Sequence, residues 1–223
     1  RYAGLVASAG VLILAIILAL TIQNWQALGL GGGAVLGLLI LLRVLPDLID
    51  KPIKRRVKEE RRADRGAAAE EVVGDLLADL NEDFFVLHDI ASPYGNIDHI
   101  VIGKNSGVFS LETKAHGGRV EVLPDGLLVT GKTPEKDFIA QALRNTYWLR
   151  DEIEKVTGSK IWITPVVVFT NAFVPASKPI KGVLVVNKKY LLSVLQRQAR
   201  SSSNLAAVWA VREQLARHLG EER

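Results

Sequence analysis

The sequence predicts an α/β protein in which strands alternating with helices follow a pair of membrane-spanning helices. Three observations lead to this fold class. Two long apolar runs lie before residue 46, short runs of β-branched and aromatic residues recur from residue 84 to residue 186, and amphipathic segments with helical spacing alternate with them. A chain of 223 residues has room for one ordinary domain and an appendage.

The segment 1–46 is interpreted as a membrane anchor. Residues 3–22 carry no charge, and as a helix rising about 1.5 Å per residue they would span about 30 Å, the thickness of the bilayer interior. A second apolar run covers 27–45 and contains Arg43 and several glycines, which could instead form a connecting turn. We expect a transmembrane helical hairpin that contacts lipid through residues 3–45. A cleaved signal peptide is the alternative for the first run, although such peptides have shorter apolar cores.

A basic linker, 47–65, follows the anchor. Between residues 51 and 65 there are eight Lys or Arg residues and three acids, a surplus that favours retention on the cytoplasmic side and contact with anionic lipid head groups. The sequence therefore predicts a multi-pass protein of the cell membrane whose large domain, 66–223, lies in the cytoplasm. The whole chain has a net charge of +4 and residues 51–65 have a net charge of +5. The rest of the chain therefore carries −1 and is not basic.

Composition argues against two kinds of chemistry. The chain has no cysteine, so it has no disulfide framework, no Cys-based zinc site and no thiol nucleophile. The glycine-rich stretch 29–33 lacks the lysine and the following serine or threonine of a phosphate-binding loop. ATP binding is therefore not indicated.

The large domain opens with an amphipathic helix that begins near Gly66. Val73 and Leu77 follow each other at helical spacing, and Glu70 precedes Val73 by three positions. We therefore expect Glu70 to lie on the buried stripe of the helix, where it would be available to a site beneath it. An acid favoured near a helix N-terminus by the helix dipole is the simpler explanation of the same residue.

The most informative stretch lies between Asp98 and Lys114. Lys104–Gly107 predicts a turn between two antiparallel strands, because β-branched and aromatic residues flank it. Side chains alternate along a strand, so Glu112 and Lys114 share the face opposite Phe109. The hairpin would bring Asp98 alongside them. Two carboxylates suit Mg²⁺, and a lysine beside them can orient the attacking water or steady the charge on a phosphate. For Glu-x-Lys alone, an ordinary surface salt bridge remains the alternative.

The remaining elements complete an α/β pattern. Thr133-Pro134 predicts the start of a helix, with a capping residue and a proline in the first turn, that ends before Gly158. Gln141 and Asn145 lie one turn apart on this helix and border its apolar line. The other predicted elements are strands at 84–87, 161–169 and 183–186, a hairpin at 120–130, and helices at 189–196 and 204–219.

Two nested motifs connect these residues to a known family. Asp98, thirteen intervening residues and Glu112-Thr113-Lys114 resemble the Asp…(Asp/Glu)-x-Lys signature of the PD-(D/E)xK nuclease superfamily. More narrowly, the sequence resembles the NERD family, the nuclease-related domain, at Gly66–Glu70, Asn96–Ile102, Gly107–Phe109 and Glu112–Lys114. The resemblance covers residues 65–171 and implies a restriction-endonuclease-like mixed sheet flanked by helices.

The resemblance also implies a metal-dependent nuclease, with DNA favoured over RNA. Asp98, Glu112 and Glu70 would hold Mg²⁺ or Mn²⁺. Lys114 would position the nucleophile, and Gln141 would orient it or the substrate, although polar flanking of a buried helix face explains Gln141 equally well. Because the domain is not basic, weak intrinsic binding of nucleic acid or a protein partner that recruits it is expected. A non-catalytic, membrane-tethered interaction module with the same fold is the alternative.

Overall fold

The computed structural model describes residues 32–175, 179–197 and 203–221. The first of the two expected membrane spans, 3–22, lies outside these residues. Within them, no helix is both long and apolar enough to cross a membrane. The chain divides into two compact units between Ala63 and Asp64, and every candidate site residue belongs to the second unit.

The first described helix, α1 (Gly32–Ala78), is 47 residues long. It joins three segments that the sequence predicts as separate, namely the second apolar run, the basic linker and the amphipathic helix beginning near Gly66. Pro46 and Pro52 lie within this helix. A proline in a helix removes a backbone hydrogen bond, but the Lys, Arg, Glu and Ala residues that follow are strong helix formers. The segment 47–65 is therefore helical throughout.

Among the described residues, six strands form a mixed sheet with the order β1-β2-β3-β5-β6, and β4 pairs with β3. The strands are β1 (Phe84–Ile90), β2 (Ile97–Gly103), β3 (Gly107–Leu123), β4 (Gly126–Val129), β5 (Ile163–Phe173) and β6 (Leu184–Asn187). The pairs β1–β2, β2–β3 and β3–β4 are antiparallel, whereas β3–β5 and β5–β6 are parallel. The mixed sheet expected from the sequence is confirmed.

The turn between β2 and β3 forms where the sequence predicts it. Gly103 pairs with Gly107 across the turn, and Gly107 has a φ of 120°, a conformation that side-chain-bearing residues rarely adopt. The Lys104 amide donates a hydrogen bond to the Asp83 carbonyl at 2.8 Å and ties the turn to the start of β1. From this turn β3 runs for 17 residues, so the first strand of the hairpin expected at 120–130 is the far end of β3.

Four further helices are described: α2 (Phe138–Thr157), α3 (Lys188–Arg197), α4 (Ser203–Ala210) and α5 (Arg212–Glu221). The predicted start of α2 is wrong, because Asp137 rather than Thr133 is the N-cap and accepts a hydrogen bond from the Ala140 amide at 3.0 Å. The helix ends at Gly158, as predicted, in a left-handed conformation with φ of 67°. The single helix expected at 204–219 is two helices, with Val211 as a turn residue between them.

Helices cover both faces of the sheet. On one face, Phe109 and Leu111 of β3 pack in one buried cluster with Val73 of α1. On the other face, Val108 of β3 packs with Leu149 of α2. Because side chains alternate along a strand, the even-numbered side chains of β3 from 108 to 114 face α2. This alternation decides which polar side chains of the hairpin can meet.

Candidate active site

Asp98 and Glu112 lie beside each other at one end of the β2–β3 pair. His99 pairs with Leu111 in the antiparallel register, which places Asp98 beside Glu112 one step further along. The Thr113 amide donates a hydrogen bond to Asp98 Oδ2 and holds that carboxylate against β3. Glu112 is 5% exposed and Asp98 is partly buried. The hairpin therefore brings two carboxylates together out of bulk water.

Lys114 forms an ion pair with Glu112 Oε1. Its Nζ also lies 4.9 Å from the ring centroid of Phe138 at the start of α2. The lysine side chain is 14% exposed and the glutamate side chain 7% exposed, so loss of either partner leaves a shielded charge uncompensated. The surface salt bridge considered as an alternative does not describe this pair.

Both carboxyl groups are harder to ionise here than in water. Burial raises the pKa of Asp98 from 3.8 to about 7, and the Glu112 carboxylate adds to this effect, while the Thr113 amide and Lys114 oppose it. Burial also raises the pKa of Glu112 above its ordinary value, against the opposing charge and hydrogen bond of Lys114. One lysine does not offset these effects, so the site would be stabilised by additional positive charge.

Glu70 acts on the site electrostatically but does not lie on the buried stripe of α1. The buried positions of this part of the helix are Ala69, Val73 and Leu77, whereas Glu70 is exposed. The expected burial is therefore wrong, since at about 100° per residue Glu70 falls at the edge of the stripe. Its charge nevertheless raises the pKa of both carboxyl groups of the β2–β3 pair. The helix thus places a third carboxylate within electrostatic range.

α2 contributes Gln141 and Asn145, one turn apart. Gln141 is partly buried, and in the described part of the chain its side chain makes no hydrogen bond to the carboxylates or the lysine of the site. Asn145 is 1% exposed. It accepts a hydrogen bond from the Ser92 hydroxyl at 2.8 Å and donates one to the Asn96 carbonyl at 3.3 Å. Asn145 therefore braces the loop that leads into β2 and Asp98, a role that the sequence does not indicate.

A histidine pair on the opposite face of the same strands is likewise not predicted from the sequence. His88 and His99 are register partners across β1 and β2, and their Nδ1 atoms lie 2.9 Å apart. His99 is 3% exposed, and burial, followed by the charge of His88, lowers its pKa to about 4. It is therefore neutral at physiological pH and packs against α1, where a Cβ on Gly74 would lie 3.8 Å from His99 Cε1. The pair becomes recognisable only when the β1–β2 register is known.

The donor atoms of the site suit a hard divalent cation. Asp98 and Glu112 offer carboxylate oxygens, which Mg²⁺ and Mn²⁺ prefer, and their raised pKa values mean that nearby positive charge would be stabilising. Across the ranges that the structure describes, no group of three or more histidine, aspartate or glutamate side chains is arranged to hold a metal ion. Two carboxylates, with water and phosphate in the other positions, are nevertheless a usual set of Mg²⁺ ligands.

The fold and the site define a mixed α/β domain with two carboxylates and a lysine at one end of its central hairpin. A sequence model of the nuclease-related domain, NERD, matches residues 65–170. No curated protein and no solved structure matches the chain. The family match supports the NERD family and suggests a nuclease-related function for this segment, which contains all five candidate site residues.

Proposed function

We propose that this protein is a metal-dependent nuclease that hydrolyses phosphodiester bonds, with DNA as the preferred nucleic acid. One observation carries the proposal. At one end of the sheet, two carboxyl groups with raised pKa values lie beside each other, and a shielded lysine is paired to one of them. The match of residues 65–170 to the nuclease-related domain supports the same conclusion.

Asp98 and Glu112 would hold Mg²⁺ or Mn²⁺. When bound, such a cation supplies Lewis acidity at the scissile phosphate. Glu70 would serve as an outer ligand or position water, because it is exposed yet its charge acts on both other carboxyl groups. These three acids come from a helix and two strands, so the fold rather than a local motif would organise the site.

Lys114 would act on the nucleophile. Its ammonium has three N–H donors, and its contacts with Glu112 Oε1 and the Phe138 ring hold it at the site while leaving donors for water or a phosphate oxygen. Lys114 would therefore orient the attacking water and steady the charge that builds on the phosphate. Gln141, from α2, would orient the water or the substrate.

We further propose that the domain is tethered to the cytoplasmic face of the cell membrane. The uncharged run 3–22, the apolar run 27–45 and the eight cationic residues between 51 and 65 support this location. Protease added outside sealed spheroplasts should leave the segment 66–223 intact. Digestion of that segment from outside would reverse the proposed topology.

A protein partner that recruits the substrate is part of the proposal. Outside the basic segment 51–65 the chain carries a net charge of −1, and affinity for duplex DNA depends strongly on Lys and Arg residues that neutralise phosphates. Intrinsic affinity for duplex DNA should therefore be weak. Copurification of such a partner with the full chain, and faster cleavage in its presence, would support recruitment.

Incubation of the 223-residue chain, purified in detergent, with plasmid, single-stranded DNA and RNA tests the nuclease proposal. Cleavage is expected with Mg²⁺ or Mn²⁺ and not with EDTA. Asp98→Ala should abolish cleavage, whereas Asp83→Ala should preserve it, because Asp83 lies beside the β2–β3 turn in an exposed salt bridge with Lys104. Absence of cleavage by the parent protein with either metal would contradict the proposal.

A non-catalytic, membrane-tethered interaction module is the second candidate. One observation favours it, namely that among the described residues no cluster of three metal-ligating side chains is already assembled. This candidate predicts binding of nucleic acid or protein without cleavage, and no change in melting temperature when Mg²⁺ is added. Retention of Asp98, Glu112 and Lys114 argues for the catalytic candidate.

A further inference from the structure

Phe173 is an exposed aromatic residue with an arginine stacked on it. The residue is 58% exposed, and the guanidinium carbon of Arg119 lies 5.0 Å from the ring centroid. The two residues are register partners on the parallel strands β3 and β5, and they are called the stacking pair below. An aromatic ring combined with a guanidinium is the kind of surface on which nucleic-acid bases stack.

The stacking pair lies on the same two strands as Lys114. In the β3–β5 register Lys114 pairs with Phe169, and Phe173 comes four residues further along β5. At about 3.3 Å per residue this separation is roughly 13 Å. One strand of helical DNA covers that distance in about four nucleotides, and an extended strand needs fewer. This distance is the separation along the strands alone, so a nucleic-acid chain that also passes from one face of the sheet to the other needs additional nucleotides to reach the stacking pair.

The stacking pair and the site lie on opposite faces of the sheet, because the β3–β5 register shifts between Lys114 and Gly117 and interrupts the alternation of side chains. Val120 and Ala172, next in sequence to the pair, are buried in one cluster with Phe138 of α2, so the pair points away from α2 while Lys114 faces it. β2 begins at Ile97, and the Thr130 amide donates a hydrogen bond to the Arg119 carbonyl at 2.7 Å, so the edge of β3 is uncovered only in between. A nucleic-acid strand that joins the candidate site to the stacking pair must turn around this edge. Duplex DNA, with a persistence length of about 150 base pairs, is too stiff for such a turn, whereas a single strand is flexible.

A second arginine–aromatic pair shows what distinguishes this one. Arg150 lies 5.3 Å from the ring centroid of Tyr147, but it donates hydrogen bonds to Asp151 from Nε at 3.2 Å and from Nη2 at 3.1 Å. Arg119 forms no salt bridge with any residue that the structure describes. Glu121 follows Arg119 on the same strand face, but no salt bridge joins the two residues in the described structure. The distinguishing feature of this surface is therefore an exposed ring beside a guanidinium that forms no salt bridge in the described structure. It is not a cluster of several positive charges.

We propose that Arg119 and Phe173 bind a base of single-stranded nucleic acid a few nucleotides from the scissile phosphate, and so select single strands over intact duplex. This inference rests on the proposed nuclease function, because the site determines where the phosphate lies. The ring would supply stacking that tolerates any base, and Arg119 would add one charge against the phosphate backbone. Such a contact would compensate for the low positive charge of the rest of the domain.

Fluorescence anisotropy of labelled oligo-dT and of a duplex of equal length tests the proposal, with the full chain in detergent and EDTA present to prevent cleavage. Phe173→Ala should weaken oligo-dT binding about 5- to 100-fold and change duplex binding by less than about twofold. Arg119→Ala should weaken oligo-dT binding and reduce its salt slope by about one. Tyr190→Ala removes a ring that is 60% exposed on α3 and should bind as the parent does.

Three results would overturn the inference. The parent could fail to bind oligo-dT, Phe173→Ala could bind it as tightly as the parent, or Phe173→Ala could lose oligo-dT and duplex affinity equally. Phe173→Ala could also bind oligo-dT as tightly as the parent and yet no longer bind a protein partner. That outcome would overturn the inference and assign the surface to the protein partner.

Cleavage kinetics with Mg²⁺ separate this inference from the proposed function. At saturating oligo-dT, Phe173→Ala should retain the parent's kcat with a raised KM, because the ring lies away from the reacting atoms. If the parent cleaves nothing, the nuclease proposal fails, and the anisotropy comparison still decides whether the stacking pair binds a base.

Discussion

Asn145 accepts a hydrogen bond from the Ser92 hydroxyl at 2.8 Å, although the two residues are 53 positions apart. The hydroxyl also lies 2.6 Å from the Gly95 carbonyl, so its single proton serves two acceptors in turn. The Asn145 amide donates to the Asn96 carbonyl at 3.3 Å. These contacts connect α2, which carries Gln141, to the loop that ends at Asp98.

Replacing Asn145 with leucine should therefore disturb both stability and the site. The change keeps the volume similar but removes the hydrogen bonds that Asn145 makes to Ser92 and Asn96, and a typical intramolecular hydrogen bond contributes about 0.5–1.5 kcal/mol. A loss of about 1 kcal/mol lowers Tm by about 2–4 °C in a domain of this size. Displacement of the loop should also raise the Mg²⁺ concentration needed for half-maximal cleavage.

Thr146→Val is the matched control for that variant. Thr146 is the next residue on α2, is 5% exposed, and its hydroxyl has no hydrogen-bond partner in the described structure. Its replacement should be neutral or slightly stabilising, because an unsatisfied polar group is removed. Equal losses of Tm in the two variants, with unchanged metal dependence in both, would count against the bracing role of Asn145.

The raised pKa of Asp98 predicts an unusual pH dependence of stability without metal. Its folded-state pKa of about 7 exceeds the ordinary 3.8, so the stabilising contribution is fully present below pH 4 and is lost as pH rises through 7. Asp98→Asn removes this dependence. In EDTA, the variant should match the parent at pH 4 and be more stable at pH 8 by an amount on the order of 2 kcal/mol. Urea titrations across this pH range measure the difference, with Asp83→Asn, at an exposed salt bridge, as the control. A parent–Asp98→Asn difference independent of pH would refute the assignment.

His99 should act in the opposite direction over an overlapping pH range. Its pKa is lowered to about 4 from 6.5, so the unfolded chain binds its proton first and stability falls as pH drops from 6.5 to 4. In the parent the contributions of Asp98 and His99 partly cancel between these values. Asp98→Asn should therefore reveal a stability that rises with pH from 4 to 6.5 more steeply than in the parent. Absence of any rise in the stability of Asp98→Asn between pH 4 and 6.5 would mean that His99 is not held neutral.

Magnesium should stabilise the folded domain through Asp98 rather than through Lys114. A ligand that binds only the folded state stabilises it by about 2.7 kcal/mol at one hundred times its Kd. Asp98→Ala should lose this increase in Tm, because it removes a proposed ligand. Lys114→Ala should retain it, because the lysine is proposed to act on water and phosphate. Differential scanning fluorimetry with Mg²⁺ and with Na⁺ at equal ionic strength measures the difference, and a shift retained by Asp98→Ala would rule out this ligand.

A buried carboxylate outside the site joins the C-terminal helix to α2. The Glu152 side chain is 4% exposed and lies 2.8 Å from His218 Nε2 and 2.7 Å from Lys155 Nζ. Burial alone would raise the pKa of Glu152, but the hydrogen bonds from Lys155 and His218 lower it overall. His218→Ala should destabilise the fold by about 1–3 kcal/mol at pH 7, since it removes a hydrogen bond to a charged group.

Lys155→Ala is the control for the His218 variant. The Lys155 side chain is 61% exposed, so its contact with Glu152 is partly replaced by water, and the expected loss is below about 1 kcal/mol. The pKa of Glu152 is lowered from its ordinary value, so the ionised carboxylate stabilises the fold only above that value. The stability losses of both variants should therefore shrink as pH falls below 4. A larger loss for Lys155→Ala than for His218→Ala at pH 7 would contradict this picture.

The central hairpin could be predicted from the sequence because its signals are local. Turn residues between β-branched strands specify the pairing, and alternation specifies that Glu112 and Lys114 share a face. From these two facts the position of Asp98 follows once the register is set at Gly103 and Gly107.

Features that depend on packing between distant elements could not be predicted in this way. Thr133 and Asp137 are both competent N-caps, and the helix begins at Asp137 because the next residue, Phe138, is buried against Phe169 with ring centroids 6.2 Å apart. The exposure of Glu70 also depends on tertiary packing. A small rotation of α1 about its axis decides whether Glu70 lies on the buried stripe or at its edge. Tertiary contacts decided both cases.

The central claim is that Lys114, held beside Asp98 and Glu112, takes part in metal-dependent hydrolysis. The most direct test compares the Mg²⁺-dependent cleavage rate of Lys114→Ala with that of the parent on single-stranded DNA, with Lys104→Ala as the control because Lys104 lies in an exposed turn on the same hairpin. We predict that Lys114→Ala loses at least about 100-fold in kcat, the scale of a positioned proton-transfer or charge-stabilising group. Lys114→Ala should keep the Mg²⁺-induced rise in Tm. Lys104→Ala should cleave as the parent does. Cleavage by Lys114→Ala at the parental rate would contradict the claim.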